Sequence, residues 1–189
     1  MFRKSVARIA LAAATAGVMA LGGPAAASAA TCANADVIPT AAASAQVRES
    51  VLCLVNAERA QRGLPAFKPQ AQLAKSAEGH AKDMVRKHYF DHTSKDGREL
   101  ADRIRATGYL KGRWSIGENL AWGTGVLATP ASIVKAWLDS PGHKAIMLSP
   151  NFRDAGIGLA LGSPKSSAAG ATVALNVGRR TGATAARKR

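Results

Sequence analysis

Helical periodicity leads this chain after residue 45 and a strand pair comes last, an order that points to an α+β fold rather than repeated βαβ units. From Ala45 to Arg62 the apolar positions Val47, Val51, Leu54 and Val55 fall on one helical face. Gly63-Leu64-Pro65 then stops that helix, because glycine accepts the left-handed conformation and proline cannot continue the hydrogen bonding. A second helix is expected from about Gln70 to Lys87, with Leu73, Ala77, Ala81 and Met84 on its stripe. His80 and His88 lie beside that stripe, and His80 reads as a hydrogen-bonded core histidine rather than a ligand. Leu100 and Ile104 predict a third, short helix ending near Gly108, Ile116–Trp122 looks extended, and Pro130 opens a further helix through Trp137. Ala155–Leu161 and Thr172–Val177 read as a strand pair joined by the Gly/Ser/Pro-rich stretch between Gly162 and Gly170.

The first 29 residues read as an export leader. Arg3, Lys4 and Arg8 precede an apolar run from Ile9 to Gly22, and Ala27-Ser28-Ala29 has the small-x-small pattern of a cleavage site. Beyond it we expect an N-terminal segment over 30–46, one domain over 47–180 and a basic tail over 181–189 that ends Arg187-Lys188-Arg189. Export places Cys32 and Cys53, the two cysteines of the chain, in an oxidising compartment where a structural disulfide is expected.

The net charge is +14, and the leader holds three basic and no acidic residues, so the remainder carries +11. Such a surface suits an anionic envelope. Nucleic acid is not expected, because the basic residues are scattered and no zinc-finger, helix-turn-helix or RNA-binding aromatic pattern is present. Neither a GxSxG elbow, a Walker loop nor a dinucleotide fingerprint occurs.

Three residues stand out for chemistry: His92 in a loop, Glu118 between Gly117 and Asn119, and His143 after Ser140-Pro141-Gly142. Ser140 is expected to cap a short helix with Pro141 in its first position, which puts His143 at the dipole's positive end and favours a neutral imidazole. The intervals between the three are too long for any local zinc motif. From residue type alone, a functional site and three locally satisfied polar groups both stay open.

A resemblance narrows the choice. Leu54-Val55-Asn56-Ala57-Glu58-Arg59, Phe90-Asp91-His92-Thr93-Ser94 with Asp96-Gly97, Gly117-Glu118-Asn119-Leu120-Ala121, and Trp137-Leu138-Asp139-Ser140-Pro141-Gly142-His143-Lys144 follow one another in order, closing on Gly156-Ile157-Gly158. Over about residues 48–178 the chain resembles bacterial CAP (SCP-like) domains, of the superfamily of cysteine-rich secretory proteins, venom antigens and plant pathogenesis-related proteins. The resemblance implies a three-layer αβα sandwich whose cleft gathers two histidines and two acidic residues, in some members around a divalent metal, commonly zinc. His92, Glu118 and His143 look like three of that tetrad, as cleft residues and as metal ligands. Eukaryotic members place a glutamate after the first histidine; here the nearest acid is Asp96, equally readable as a turn aspartate bonding its own backbone. Two imidazoles and Glu118 would make three zinc ligands, or Glu118 would act as a base or as an orienting partner. The implied function is an exported, non-enzymatic module binding a lipid or cell-envelope ligand, as a monomer. The alternatives are a zinc-assisted, peptidase-like hydrolase outside the cell and a purely structural envelope protein.

Overall fold

The structure, a computed structural model, describes residues 32–181. The leader over 1–29 and the Arg187-Lys188-Arg189 ending lie outside the described residues.

The helices form where the apolar stripes predict them: α1 is Ser44–Ala60, α2 is Ala71–Arg86 and α3 is Leu100–Arg105. Strand β2, Arg113–Thr124, leads through a single 3-10 turn, Gly125–Ala128, into α4, Pro130–Asp139, and α5, Pro141–Met147. Strands β3, Asp154–Leu161, and β4, Gly170–Thr181, close the chain as an antiparallel pair. A two-residue strand β1, Lys68–Pro69, runs parallel to β3 and completes a sheet of order β1-β3-β4-β2. Two residues carry no periodicity, so β1 left no sequence signal.

Three local expectations need correction. β2 and β4 are longer than their apolar alternation, because they pair residue for residue from Arg113↔Thr181 to Thr124↔Gly170; the ladder extends into arginine- and glycine-containing ends that have little strand propensity. α3 stops at Arg105 rather than near Gly108, which instead takes the left-handed conformation of the following turn (φ 78°). Ser140 makes no side-chain cap on α5. Its backbone carbonyl closes the first turn, accepting from Lys144 N at 2.9 Å.

Side chains alternate across the sheet and build a core on each face. Val173, Leu175 and Val177 of β4, with Ile157 and Leu159 of β3, pack against Val47, Val51 and Val55 of α1 and Ile133 and Trp137 of α4. On the other face Leu120 and Ala174 meet Ala77 and Met84 of α2. This is the αβα sandwich that the resemblance implies. A Cβ at Gly156 or Gly158 would overlap the backbone of α2 at Leu73–Ala74 or Ala77–Glu78, so glycine there is what lets α2 lie directly on β3.

Two covalent or polar ties fix the outer layer that carries α5. Cys32 is disulfide-bonded to Cys53 in α1, with Cα atoms 5.8 Å apart. Arg59 is fully buried, stacks 3.6 Å over the Phe67 ring, and donates from Nη1 to the carbonyls of Met147 (2.6 Å) and Ser149 (3.0 Å). It thereby anchors the end of α5 to α1.

Candidate functional site

The site forms at the β2 edge of the sheet, where side chains from both helical layers come together. Glu118 points from β2 toward the α2–α3 face, and its side chain is 2% exposed. Burying a carboxylate is unfavourable unless its charge and lone pairs are matched. Here Arg103 of α3, itself only 5% exposed at its side chain, donates from Nη2 to Oε1 (3.0 Å) and Oε2 (2.9 Å). His92 Nδ1 donates to Oε1 at 2.9 Å. Asn176 on β4, with its amide nitrogen turned to the carboxylate, donates to Oε2 at 3.1 Å. Each oxygen of Glu118 therefore receives two donors, which exhausts its ordinary accepting capacity.

The loop carrying His92 is held from beneath. Arg103 Nη1 donates to the carbonyls of His92 (2.7 Å) and Arg98 (3.0 Å). His80, buried in α2, bonds the Asp91 carbonyl through Nε2 at 2.9 Å and faces Ser94 Oγ through Nδ1 at 3.4 Å. The core histidine read from the sequence thus fixes the loop of the site. Thr93 N donates to Asp91 Oδ1 and Gly97 N to the Ser94 carbonyl, closing the two turns of the loop.

His143 lies on α5 in the opposite layer, near enough for the charge at His92 to act on its ring. Asn119, which points to the other side of β2 from Glu118, donates from Nδ2 to the His143 carbonyl at 2.9 Å and registers α5 against the strand. The two imidazoles are shifted in opposite directions. The hydrogen bond to Glu118 raises His92 above its ordinary value, against the opposing effect of burial. Burial, and then the charge at His92, lowers His143. The helix dipole expected to act on position 143 is not among the causes of this shift, which are burial and His92.

Asp96 sits apart from this cluster. It is exposed in the turn, accepting from Arg98 N at 3.2 Å and pairing with the Arg98 guanidinium at 2.8 Å. That pairing, not a cleft contact, holds its carboxyl below the usual range.

A zinc centre that performs chemistry ordinarily has three protein ligands and one open position. Glu118 is saturated by Arg103, His92 and Asn176, and Asp96 is engaged by Arg98. Among the described residues no group of three or more His, Cys, Asp or Glu side chains is placed to hold a metal. The donor set leaves His92 Nε2 and the His143 ring, and does not fit a three-ligand zinc centre.

Sequence reading missed Arg103 and Asn176. Arg103 lies in the charged run Asp102-Arg103-Ile104-Arg105, whose pattern is that of a solvated helix face, and Asn176 interrupts an apolar strand without any motif. The signal for both was the buried acid itself, which demands a cation and donors from somewhere in the fold.

The family model of the cysteine-rich secretory protein family (CAP) matches residues 52–175. The chain is 38% identical over 110 residues to the uncharacterized protein YkwD of Bacillus subtilis (strain 168), covering 58% of this chain and 41% of that protein. It is 32% identical over 111 residues to the uncharacterized membrane protein YlbC of the same organism, covering 59% of this chain and 31% of that protein. It thus spans less than half the length of these curated relatives. Among solved structures, an extracellular protein containing an SCP domain from Bacillus anthracis str. Ames superposes with a TM-score of 0.60 at 25% identity, covering 75% of this chain and 44% of that one. An outer surface protein from Borrelia burgdorferi superposes with a TM-score of 0.55 at 23% identity, covering 69% of this chain and 90% of that one, and shares the fold.

Proposed function

This chain belongs to the cysteine-rich secretory protein (CAP) family, and on that premise we propose that it is an exported, non-enzymatic module that binds an anionic component of the cell envelope. The observation that carries the non-enzymatic reading is the saturation of Glu118. A hydrolase would need that carboxylate to activate water or to ligate metal, and here it is neutralised by Arg103 and orients His92. The divalent metal implied by the resemblance would rest on the two imidazoles alone, with Glu118 behind His92. No part of the proposed function uses it.

Export is supported by the leader pattern, by the Cys32–Cys53 disulfide, and by the extracellular description of a structural neighbour. No helix among the described residues is long and apolar enough to cross a membrane. An anionic partner is supported by the far end of the β2–β4 ribbon. There Arg113 and Arg179 share one face, while Trp114, 42% exposed, pairs across the ladder with Arg180 on the other. No acidic residue follows Asp154 in the sequence to offset this charge.

The test is cosedimentation of the exported protein with isolated cell walls and, separately, with phosphatidylglycerol vesicles over a range of salt. Binding to one of them that weakens with salt, and that Arg113→Glu/Arg179→Glu abolishes, is the expected result. Binding to neither at low salt, or binding untouched by the double substitution, overturns the proposal.

A further inference from the structure

On the side of the sheet away from β2, most of the β3 edge is left open. β1 covers it only at Asp154 and Ala155, where Gln70 N donates to the Ala155 carbonyl at 2.8 Å before the chain turns into α2. Gly162 N, by contrast, donates toward β4, to the Gly170 carbonyl at 2.7 Å. Peptide groups alternate in direction along a strand, so the N–H and C=O of Ile157, Leu159 and Leu161 point outward with those of Ala155. Among the described residues none of these groups has a main-chain or side-chain hydrogen-bond partner.

Two cavities follow one another along this edge, of about 470 Å³ beside residues 155–157 and about 460 Å³ beside residues 159–161. Arg48 lines both, and each has α1 on one wall and α2 on the other, so together they form a groove floored by β3. Ile157 and Leu159 send their side chains into the core and are 5% and 4% exposed, so main chain is what they offer the groove. An open edge binds an extended peptide by continuing the ladder, while the walls read alternate side chains.

Shape and charge select the occupant. The edge strand of a second copy would have to enter between α1 and α2, whereas a single extended segment lies between them. Beside residues 159–161 the charged groups are Arg48, Lys82 and Arg86 against Glu78, and Glu49 stands at the other half. Lys82 is bound to Glu78 (2.5 Å) and Arg86 to Asp83 (2.8 Å), and Arg48 has no ion pair among the described residues. That half suits a carboxylate and disfavours the chain's own basic tail over 182–189.

We infer that the groove between α1 and α2 binds an extended peptide segment of another protein, about five to seven residues long, as an added strand on β3. An acidic side chain of that segment lies toward Arg48 and Lys82. This surface is at the other edge of the sheet from the Glu118 cluster and does not depend on the envelope-binding reading.

The test is selection from a library of random peptides of that length on the exported protein, followed by NMR titration of the 15N-labelled protein with the enriched peptide. The expected peptide is acidic and free of proline, and its saturable binding shifts the amides of Ile157, Leu159 and Leu161. N-methylation of one alternate set of its residues abolishes binding and of the other set leaves it, as a ladder requires. Arg48→Glu/Lys82→Glu, with a spectrum that reports an intact fold, binds it about tenfold more weakly. No enriched peptide, an enriched peptide that leaves those amides unmoved, or equal affinity in the double variant overturns the inference. Concentration-dependent self-association that moves the same amides without peptide assigns the groove to a second copy and overturns it as well.

Discussion

The sharpest demands fall on Glu118 and the residues that answer its charge. Arg103 reaches both oxygens of Glu118 through Nη2, at side-chain exposures of 5% and 2%, so removing it leaves a buried anion without that cation. Arg103→Met is expected to cost about 3–5 kcal/mol in urea denaturation, and Arg103→Met/Glu118→Gln to cost less than the single change. A smaller loss for the single variant would mean the pair is not desolvated as described. The histidines give a second prediction, read by NMR in chelator-treated buffer. His92 titrates above its ordinary value of 6.5 and His143 below it, and Glu118→Gln moves His92 down. The opposite order would contradict the site geometry. These shifts set the sign of two contributions to stability. Folding raises His92, so its contribution is present below about 6.5 and fades as pH rises through the raised value. His80 is lowered, by burial first, and His143 likewise, so theirs is present above about 6.5 and fades as pH falls through the lowered values. At much lower pH Asp83 follows: burial pushes its carboxyl up, but Lys87, Tyr89 and Arg86 outweigh that and hold it down to about 2.

Among the elements, closeness of approach decides what can change. Gly158 lets β3 touch the α2 backbone at Ala77–Glu78, and there is no flexible side chain to move aside. Gly158→Ala is expected to lower stability by about 1–3 kcal/mol or more, as overpacking does, measured by thermal or urea unfolding. An unchanged midpoint would show that the helix and strand can separate freely. How far the elements were legible follows the same logic. α1, α2 and α4 were readable because each carries an apolar stripe through several turns. β1 was not, because Lys68–Pro69 is a strand only by virtue of β3 beside it. The candidate site divides similarly: His92, Glu118 and His143 stood out by residue type and by resemblance, whereas Arg103 is one arginine among charged neighbours until the fold buries it. Asp96 was readable in two ways, and the geometry finds it bound to Arg98.

For the molecule as a whole, the disulfide fastens residue 32 to α1 across 21 residues. Closing a loop of that length is worth about 3 kcal/mol by chain entropy. Cys32→Ser/Cys53→Ser should lose roughly that amount in denaturation while keeping the cleft network intact; a loss near zero would assign the bridge no structural weight. The proposal that this CAP domain binds rather than hydrolyses rests on the carboxylate that chemistry would require, which is committed to Arg103 and His92. The most direct measurement is turnover of casein, peptide and ester substrates by the exported protein, with and without zinc, beside the His92→Ala/His143→Ala variant. For a binding module, no turnover above that of the double variant is expected on any substrate. Turnover in the parent protein that the double variant abolishes would contradict it and make the cleft catalytic.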